Sequence, residues 1–255
     1  MNITDKTALV TGGASGLGEA CVRMLIQKGA RVAIIDMDKN KGVTLAKELG
    51  ENTIFIRTDI SDEASVKESV RMVSNQFGHI HFVINCAGIG GPMKVLGKNG
   101  PLSMDKFNHI MRVNVSGTMN IIGHAANKMV GNAPNPDGEK GVIINTSSIA
   151  AFEGQIGQVA YTASKAAIVG ITLPIAREFG NYGIRVMTIA PGVFDTPILS
   201  KLPEKVKTAL ENQVPFPKRL GYPEEFAALV CHIIENSYFS GETIRLDGGL
   251  RMSGR

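Results

Sequence analysis

Short, almost wholly apolar runs rich in β-branched residues alternate with longer helical stretches along this chain, and that alternation restricts the fold more than any other feature. The runs are Thr7–Thr11, Arg31–Asp36, Thr53–Arg57, 82–86, 142–147, 185–190 and Thr243–Leu246. Helical patterning fills 16–28, Lys39–Leu49, Glu63–Phe77, 104–130, 157–179 and Pro223–Glu235. A strand apolar on both sides has to be covered on both faces. Strand-helix-strand units that cross over right-handed therefore predict an α/β fold with a doubly wound parallel sheet. No linker, repeat or second domain interrupts residues 1–255. No apolar run approaches the length of a membrane span, and the chain opens on a strand where a signal segment would stand. The expected setting is therefore not secretory.

Three segments break the rhythm. Residues 89–103 follow a strand and emerge at the carboxyl edge of the sheet, where such folds bind ligands. Residues 131–140 precede a strand and belong on the opposite edge. Residues 191–217 follow a strand and carry Pro191, Pro197, Pro203, Pro215 and Pro217. The first segment reads as a substrate-cleft wall and the third as an irregular substrate lid.

The first strand runs into Thr11-Gly12-Gly13-Ala14-Ser15-Gly16-Leu17-Gly18. Glycines there permit a tight turn and close approach to a pyrophosphate, which the following helix meets with its free N–H groups. The spacing departs from G-x-G-x-x-G. Asp36 closes the second strand, eighteen residues beyond Gly18, where a carboxylate accepts from both ribose hydroxyls. It repels a 2′-phosphate, and neither Met37 nor Ser15 welcomes one. The expected cofactor is NAD, in preference to NADP. Asp59 and the backbone of Ile60 follow the third strand and could hold the adenine, although Asp59 could instead cap the next helix.

Tyr161 and Lys165 stand four apart, on one face of a helix. Tyrosine ionises near pH ~10, and a drop of about three units would represent ~4 kcal/mol of differential interaction. An adjacent ammonium lowers that value, and a phenol so tuned exchanges protons with an alcohol or carbonyl. The fifth strand ends in Asn145-Thr146-Ser147-Ser148. A serine at that edge can stabilise charge on a substrate oxygen.

A net charge of +4 is mild, and no basic block marks a nucleic-acid site. Cys21, Cys86 and Cys231 are odd in number and far apart, which fits a reducing compartment. His79 and His81 lack the neighbours a metal site needs, so no metal is expected.

Taken together, Thr11-Gly12-x-x-x-Gly16-x-Gly18, Asn85-Cys86-Ala87-Gly88, Asn114, Ser148, Tyr161-x-x-x-Lys165 and Pro191-Gly192 resemble the short-chain dehydrogenase/reductase family over essentially the whole chain. The resemblance implies a Rossmann-type sheet of about seven strands. It implies Tyr161 as general acid/base, with Lys165 lowering its pKa and holding the nicotinamide ribose. It selects Ser148 over Ser147, thirteen residues before the tyrosine, and has Asn114 interrupt its helix to support a relay water. Cofactor contacts fall to Gly12, Ser15, Gly16, Leu17, Gly18, Asp36, Asp59, Ile60, Cys86, Ala87, Gly88, Tyr161, Lys165, Pro191, Gly192, Val193, Phe194 and Thr196. Cys86 stands where many members carry a second asparagine.

Stretches such as Ala150-Ala151-Phe152-Glu153-Gly154-Gln155 and Gln213-Val214-Pro215-Phe216-Pro217 are similar to the branch acting on 3-hydroxyacyl-CoA. That branch adds Gln155 to Ser148 and Tyr161 as substrate contacts. The implied reaction interconverts 3-hydroxyacyl-CoA and 3-oxoacyl-CoA, with Lys94, Lys98, Lys201 and Lys205 at the site edge for the phosphates. A hydroxysteroid or other hydrophobic alcohol is the alternative, met by Val193, Phe194, Ile198 and Leu199. A scaffold subunit of an RNA-processing complex is the alternative of another class. The resemblance further implies a homotetramer, in a bacterial cytoplasm or a mitochondrial matrix, with no membrane and no nucleic-acid partner.

Overall fold

The computed structural model describes residues 1–98, 100–197, 199 and 203–254. Ile198, Lys201 and Leu202 of the expected lid lie outside the described residues. Seven strands, β1 (Thr7–Thr11), β2 (Arg31–Asp36), β3 (Thr53–Arg57), β4 (Phe82–Asn85), β7 (Gly141–Thr146), β8 (Ile184–Pro191) and β9 (Thr243–Leu246), form one sheet. Its order is β3-β2-β1-β4-β7-β8-β9, and every neighbouring pair is parallel. The order reverses between β1 and β4, and in open α/β sheets that reversal opens the ligand crevice.

Both faces are covered. One core packs α1 (Gly16–Gln27), α2 (Lys39–Leu49) and α8 (Pro223–Glu235) against the sheet through Leu25, Leu45 and Phe226. The other packs α3 (Glu63–Phe77), α5 (Thr118–Met129) and α6 (Val159–Gly180) through Val70, Ile122 and Ile175. Each such side chain, taken from water, contributes roughly 1.5–3 kcal/mol. Strands β1, β4 and β8 are buried along their whole length, as the continuous apolar runs require.

The helix over 104–130 is α4 (Met104–Met111), a π-helical turn (Arg112–Gly117) and then α5, interrupted at Asn114 as the resemblance implies. Three other readings are corrected. The span 191–217 is not irregular throughout, since Glu204–Gln213 forms α7. Its prolines flank that helix, with Pro203 at the N-cap position, where proline is compatible with a helix start. A membrane-length apolar stretch does exist: α6 is 22 residues long and, by length and composition alone, apolar enough to cross a membrane. It is a core helix whose inner face packs on β8 and carries Lys165, buried. Finally, Asp59 does not cap the next helix; Asp62 does, accepting from Ala64 N–H at 3.1 Å.

The first loop holds a hairpin, β5 (Leu96–Gly97) with β6 (Gly100–Pro101). Its neck is closed by Leu102 N–H donating to Val95 O at 2.9 Å. Residues 131–140 lie at the amino edge of β7, as expected. There Glu139 is 5% exposed and accepts from Arg185 Nε at 2.6 Å. Arg185 also donates to the carbonyls of Ile233, Ile234 and Phe239.

Candidate active site

Parallel register aligns the carboxyl ends of three neighbouring strands, pairing Thr11 with Asn85 and Asn85 with Asn145. Their side chains form a buried polar row. Thr11 Oγ1 donates to Asn85 Oδ1 at 3.5 Å, and Asn85 Nδ2 to Asn145 Oδ1 at 2.9 Å. Thr11 Oγ1 in turn accepts from Ala87 N–H at 3.2 Å. The row pins β1, β4 and β7 at the level where the chain leaves the sheet.

Above it the glycine loop is shaped by backbone. Gly12 has φ +63°, and a Cβ there would come 2.8 Å from Ala87 N. A Cβ on Gly18 would collide with the Gly12 carbonyl, so the helix start and the turn share one space. Gly16, at φ +56°, faces Thr196 at 3.5 Å from a Cβ position. That brings the loop after β8 against the glycine loop. Ser15 is the N-cap of α1 but makes no side-chain capping bond, and Leu17 packs against the core. The Asp36 carboxylate accepts from Ala14 N–H at 3.1 Å and from Asp38 N–H at 3.0 Å, so it also holds the glycine loop. Asp59 Oδ1 is taken by Ser61 N–H and Oγ. Ile60 is buried, and its carbonyl accepts from Asn120 Nδ2. A narrow cradle walled by backbone, with a carboxylate at the next strand end, fits a dinucleotide: pyrophosphate at the N-terminus of α1 and ribose at Asp36.

The chemistry-bearing side chains gather beside this cradle. Ser148 lies two residues past β7 and caps the short 3-10 turn Ile149–Ala151, its Oγ accepting from Ala150 N–H at 3.1 Å, which leaves its own proton for the Tyr161 phenol. Ser147 is spent elsewhere, donating to Lys165 O at 2.7 Å. Lys165 Nζ donates to Thr146 O at 2.8 Å and lies 5.8 Å from the centre of the Tyr161 ring. Gly88 permits this convergence, since a Cβ there would stand 3.3 Å from both Lys165 Nζ and Asn114 Oδ1. Gly90 packs on the Tyr161 ring edge, 3.2 Å from a Cβ position.

Asn114 sits inside the π turn, 1% exposed. Its Oδ1 accepts from Ile89 N–H at 2.8 Å, and its Nδ2 donates to Ile89 O at 2.8 Å and to Ser164 Oγ at 2.9 Å. Ser164 passes the link on to Tyr161 O at 2.8 Å. Sequence reasoning missed Ser164 and the carbonyls of Thr146 and Ile89. A backbone acceptor leaves no residue signature, while Ser164 was visible only as the residue before the lysine.

The electrostatics differ from the expectation. Burial pushes the Tyr161 phenol above its ordinary value, and the Ser148 hydroxyl opposes this in part. The expected drop from Lys165 is not the dominant effect, because the ammonium is directed at Thr146 O. Burial also pushes Lys165 down, to about 8. Cys86 Sγ accepts from Thr146 Oγ1 at 3.6 Å. The Cys21 thiol beside it draws Cys86 below the usual thiol value.

Phe194 is placed otherwise than expected. Its ring is 6% exposed and packs edge-on against Phe226, 6.3 Å between centres, so only its backbone remains for a cofactor or substrate. Val193 O accepts from Gly221 N–H. Gln155 lines a cleft of about 560 Å³ between Met93–Leu96 and Gly154–Gly157. Val159, Thr162 and Ala163 of α6 close that cleft. Lys94 stands on its wall. Met93 N–H donates to Gly157 O, which ties the two walls together.

A family model described as short chain dehydrogenase matches residues 6–207. A 3-hydroxyacyl-CoA dehydrogenase type-2 of Drosophila melanogaster is 48% identical over 252 residues, 98% of this chain and 99% of that protein. The Homo sapiens protein of the same name is 49% identical over 253 residues, 98% and 97% of the two chains. The crystal structure of 3-hydroxyacyl-CoA dehydrogenase type-2 from Mycobacterium avium superimposes with a TM-score of 0.94 at 39% identity, covering 98% of this chain and 97% of that one.

Proposed function

This chain belongs to the short chain dehydrogenase family, and from that premise we propose that it interconverts 3-hydroxyacyl-CoA and 3-oxoacyl-CoA with NAD. The observation that carries the reading is the convergence of Ser148, Tyr161, Lys165 and Asn114 beside a backbone-walled dinucleotide cradle. The relatives' names supply the acyl-CoA.

In the oxidative direction the Tyr161 phenolate takes the proton of the substrate hydroxyl. A nicotinamide held in the cradle beside Lys165 would supply the acceptor for the hydride of the carbon that bears this hydroxyl. Ser148 donates to the substrate oxygen and keeps it in line with the phenol. Lys165, whose Nζ is held at Thr146 O, would hydrogen-bond the nicotinamide ribose, and its charge would favour the phenolate in the loaded site. Asn114 anchors Ile89 and the helix of Tyr161, and its π turn supports a water through which protons reach solvent. In reduction the phenol returns the proton to the carbonyl oxygen.

NAD is favoured over NADP by the Asp36 carboxylate, which repels a 2′-phosphate. Lys94 on the cleft wall suits the phosphates of coenzyme A. Met119 on α5 and Leu173 on α6 stay exposed at 40% and 43%, apolar surface that supports a homotetramer joined through these helices.

The test follows NADH consumption with acetoacetyl-CoA, its pantetheine truncation and a 3-ketosteroid, each with NADH and with NADPH. Turnover of acetoacetyl-CoA with NADH that vanishes in Tyr161→Phe, while NADH still binds, is the expected result. Undiminished turnover in that variant overturns the role of the phenol. Turnover of the steroid alone replaces the acyl-CoA reading with the hydrophobic-alcohol one.

A further inference from the structure

Residues 152–158, between β7 and α6, contain no buried side chain. Phe152 and Ile156 are 49% and 60% exposed. A loop so poor in apolar anchors opens at low cost unless polar contacts hold it. Met93 N–H on Gly157 O and the exchange between Gln155 and Gln158 hold its far end, and the C-terminal segment holds the end at Glu153. Arg245 of β9 forks onto Glu153 at 2.8 and 3.1 Å and reaches Asp247 at 2.7 Å. Its guanidinium lies 5.4 Å from the centre of the Phe152 ring. Arg251 adds contacts of 3.4 Å to Glu153 and 3.2 Å to Asp247. Glu153 also accepts from Met252 N–H at 3.1 Å. Beyond this clasp, Gln155 Nε2 donates to Ser253 O at 3.2 Å and Ile156 N–H to Gly254 O at 3.1 Å.

The clasp has a second attachment. A Cβ on Gly192 would come 2.8 Å from Asp247 Cα, and Gly192 N–H donates to Leu246 O at 2.8 Å. Two acids and two arginines thus join the loop after β8 to the loop that carries Gln155.

We propose that residues 250–254 are a strap, with Glu153 as its clasp, that holds Gln155 over the cleft and thereby sets affinity for the acyl-CoA substrate. The proposal rests on the acyl-CoA reading above. Glu153 touches neither substrate nor cofactor; it is a positioning residue. Its effect belongs in KM, because it places a binding group and leaves the proton-transfer groups where they are.

Steady-state reduction of acetoacetyl-CoA by NADH tests this in the full chain, in Glu153→Gln, in Gln155→Ala and in the double variant. Glu153→Gln should raise KM about tenfold with kcat within about twofold, and should add less than about twofold to KM once Gln155 is alanine, since residues acting through one contact are not additive. A KM for Glu153→Gln within about twofold of wild type overturns the proposal, as does a double variant whose KM is the product of the single effects. Should Glu153→Gln fail to fold, the same cycle is run on a chain ending at Arg251. That chain keeps the ion pairs of Glu153 and loses the contacts of Met252, Ser253 and Gly254. A wild-type chain that reduces no acyl-CoA overturns the substrate reading, and the strap with it, before any variant is compared.

Discussion

Replacing Ser164 by alanine removes one hydroxyl, fully buried, that accepts from Asn114 Nδ2 at 2.9 Å and donates to Tyr161 O at 2.8 Å. Asn114 keeps its two bonds to Ile89. Its second amide proton is left without a partner at a side chain 1% exposed. A stranded buried donor costs about 1–3 kcal/mol. For a chain of this size, each kcal/mol lowers the melting temperature by about 2–4 °C. The same change frees the π turn from the helix that carries Tyr161, so kcat should fall about tenfold, on the scale expected when a positioned group loses its support. Urea unfolding at one protein concentration measures the stability term, and m should stay constant if the native and unfolded ensembles are otherwise unchanged. A double-mutant cycle with Asn114→Ala isolates the pair, and a coupling of about 1 kcal/mol or more is expected. A loss below about 0.3 kcal/mol, or strict additivity with Asn114→Ala, would refute the reasoning that Ser164 is the tether.

Three other expectations follow from named contacts. Burial holds Lys165 at about 8, below its ordinary value near 10.5. Between those two values the unfolded chain binds the proton more tightly, so this lysine's destabilising effect is full below about pH 8 and fades as pH rises. The stability of wild type relative to Lys165→Met should therefore climb from about pH 8 to about pH 10 in paired urea melts, and a flat difference argues against the burial effect. Glu139→Gln breaks a buried ion pair with Arg185 on the edge away from Tyr161. It should cost about 3–5 kcal/mol in urea unfolding while kcat/KM of the folded enzyme is unchanged. Asp36→Asn removes the charge that repels a 2′-phosphate, so the ratio of NADPH to NADH affinity should rise at least about tenfold in fluorescence titrations; an unchanged ratio would place the selectivity elsewhere.

The strands at Thr7–Thr11, Arg31–Asp36, Thr53–Arg57 and Thr243–Leu246 were legible to the residue. Their runs end at glycine, aspartate or a change of charge, and no competing pattern overlaps them. Helices α2, α3 and α8 were equally plain, bounded by Asp38, Asp62 and Pro223. The π turn was not legible as such, because residues 104–130 keep a helical pattern throughout and the extra residue is absorbed by tertiary bonds of Asn114. Helix α7 was hidden by its flanking prolines. Within the site, the spacing of Tyr161 and Lys165 was enough to put both on one helix face. The direction of the phenol's shift was not readable, since it depends on how deeply α6 is buried and on where the ammonium points.

The hairpin between Val95 and Leu102 has its own closing bond, and the chain just before it is fastened at Met93 to the opposite wall. Length or composition changes beyond Leu96 in that hairpin thus start outside the two fastening points that fix its base. Under the acyl-CoA reading, exchanging this cassette should change which acyl groups are admitted while the proton-transfer geometry stays as it is.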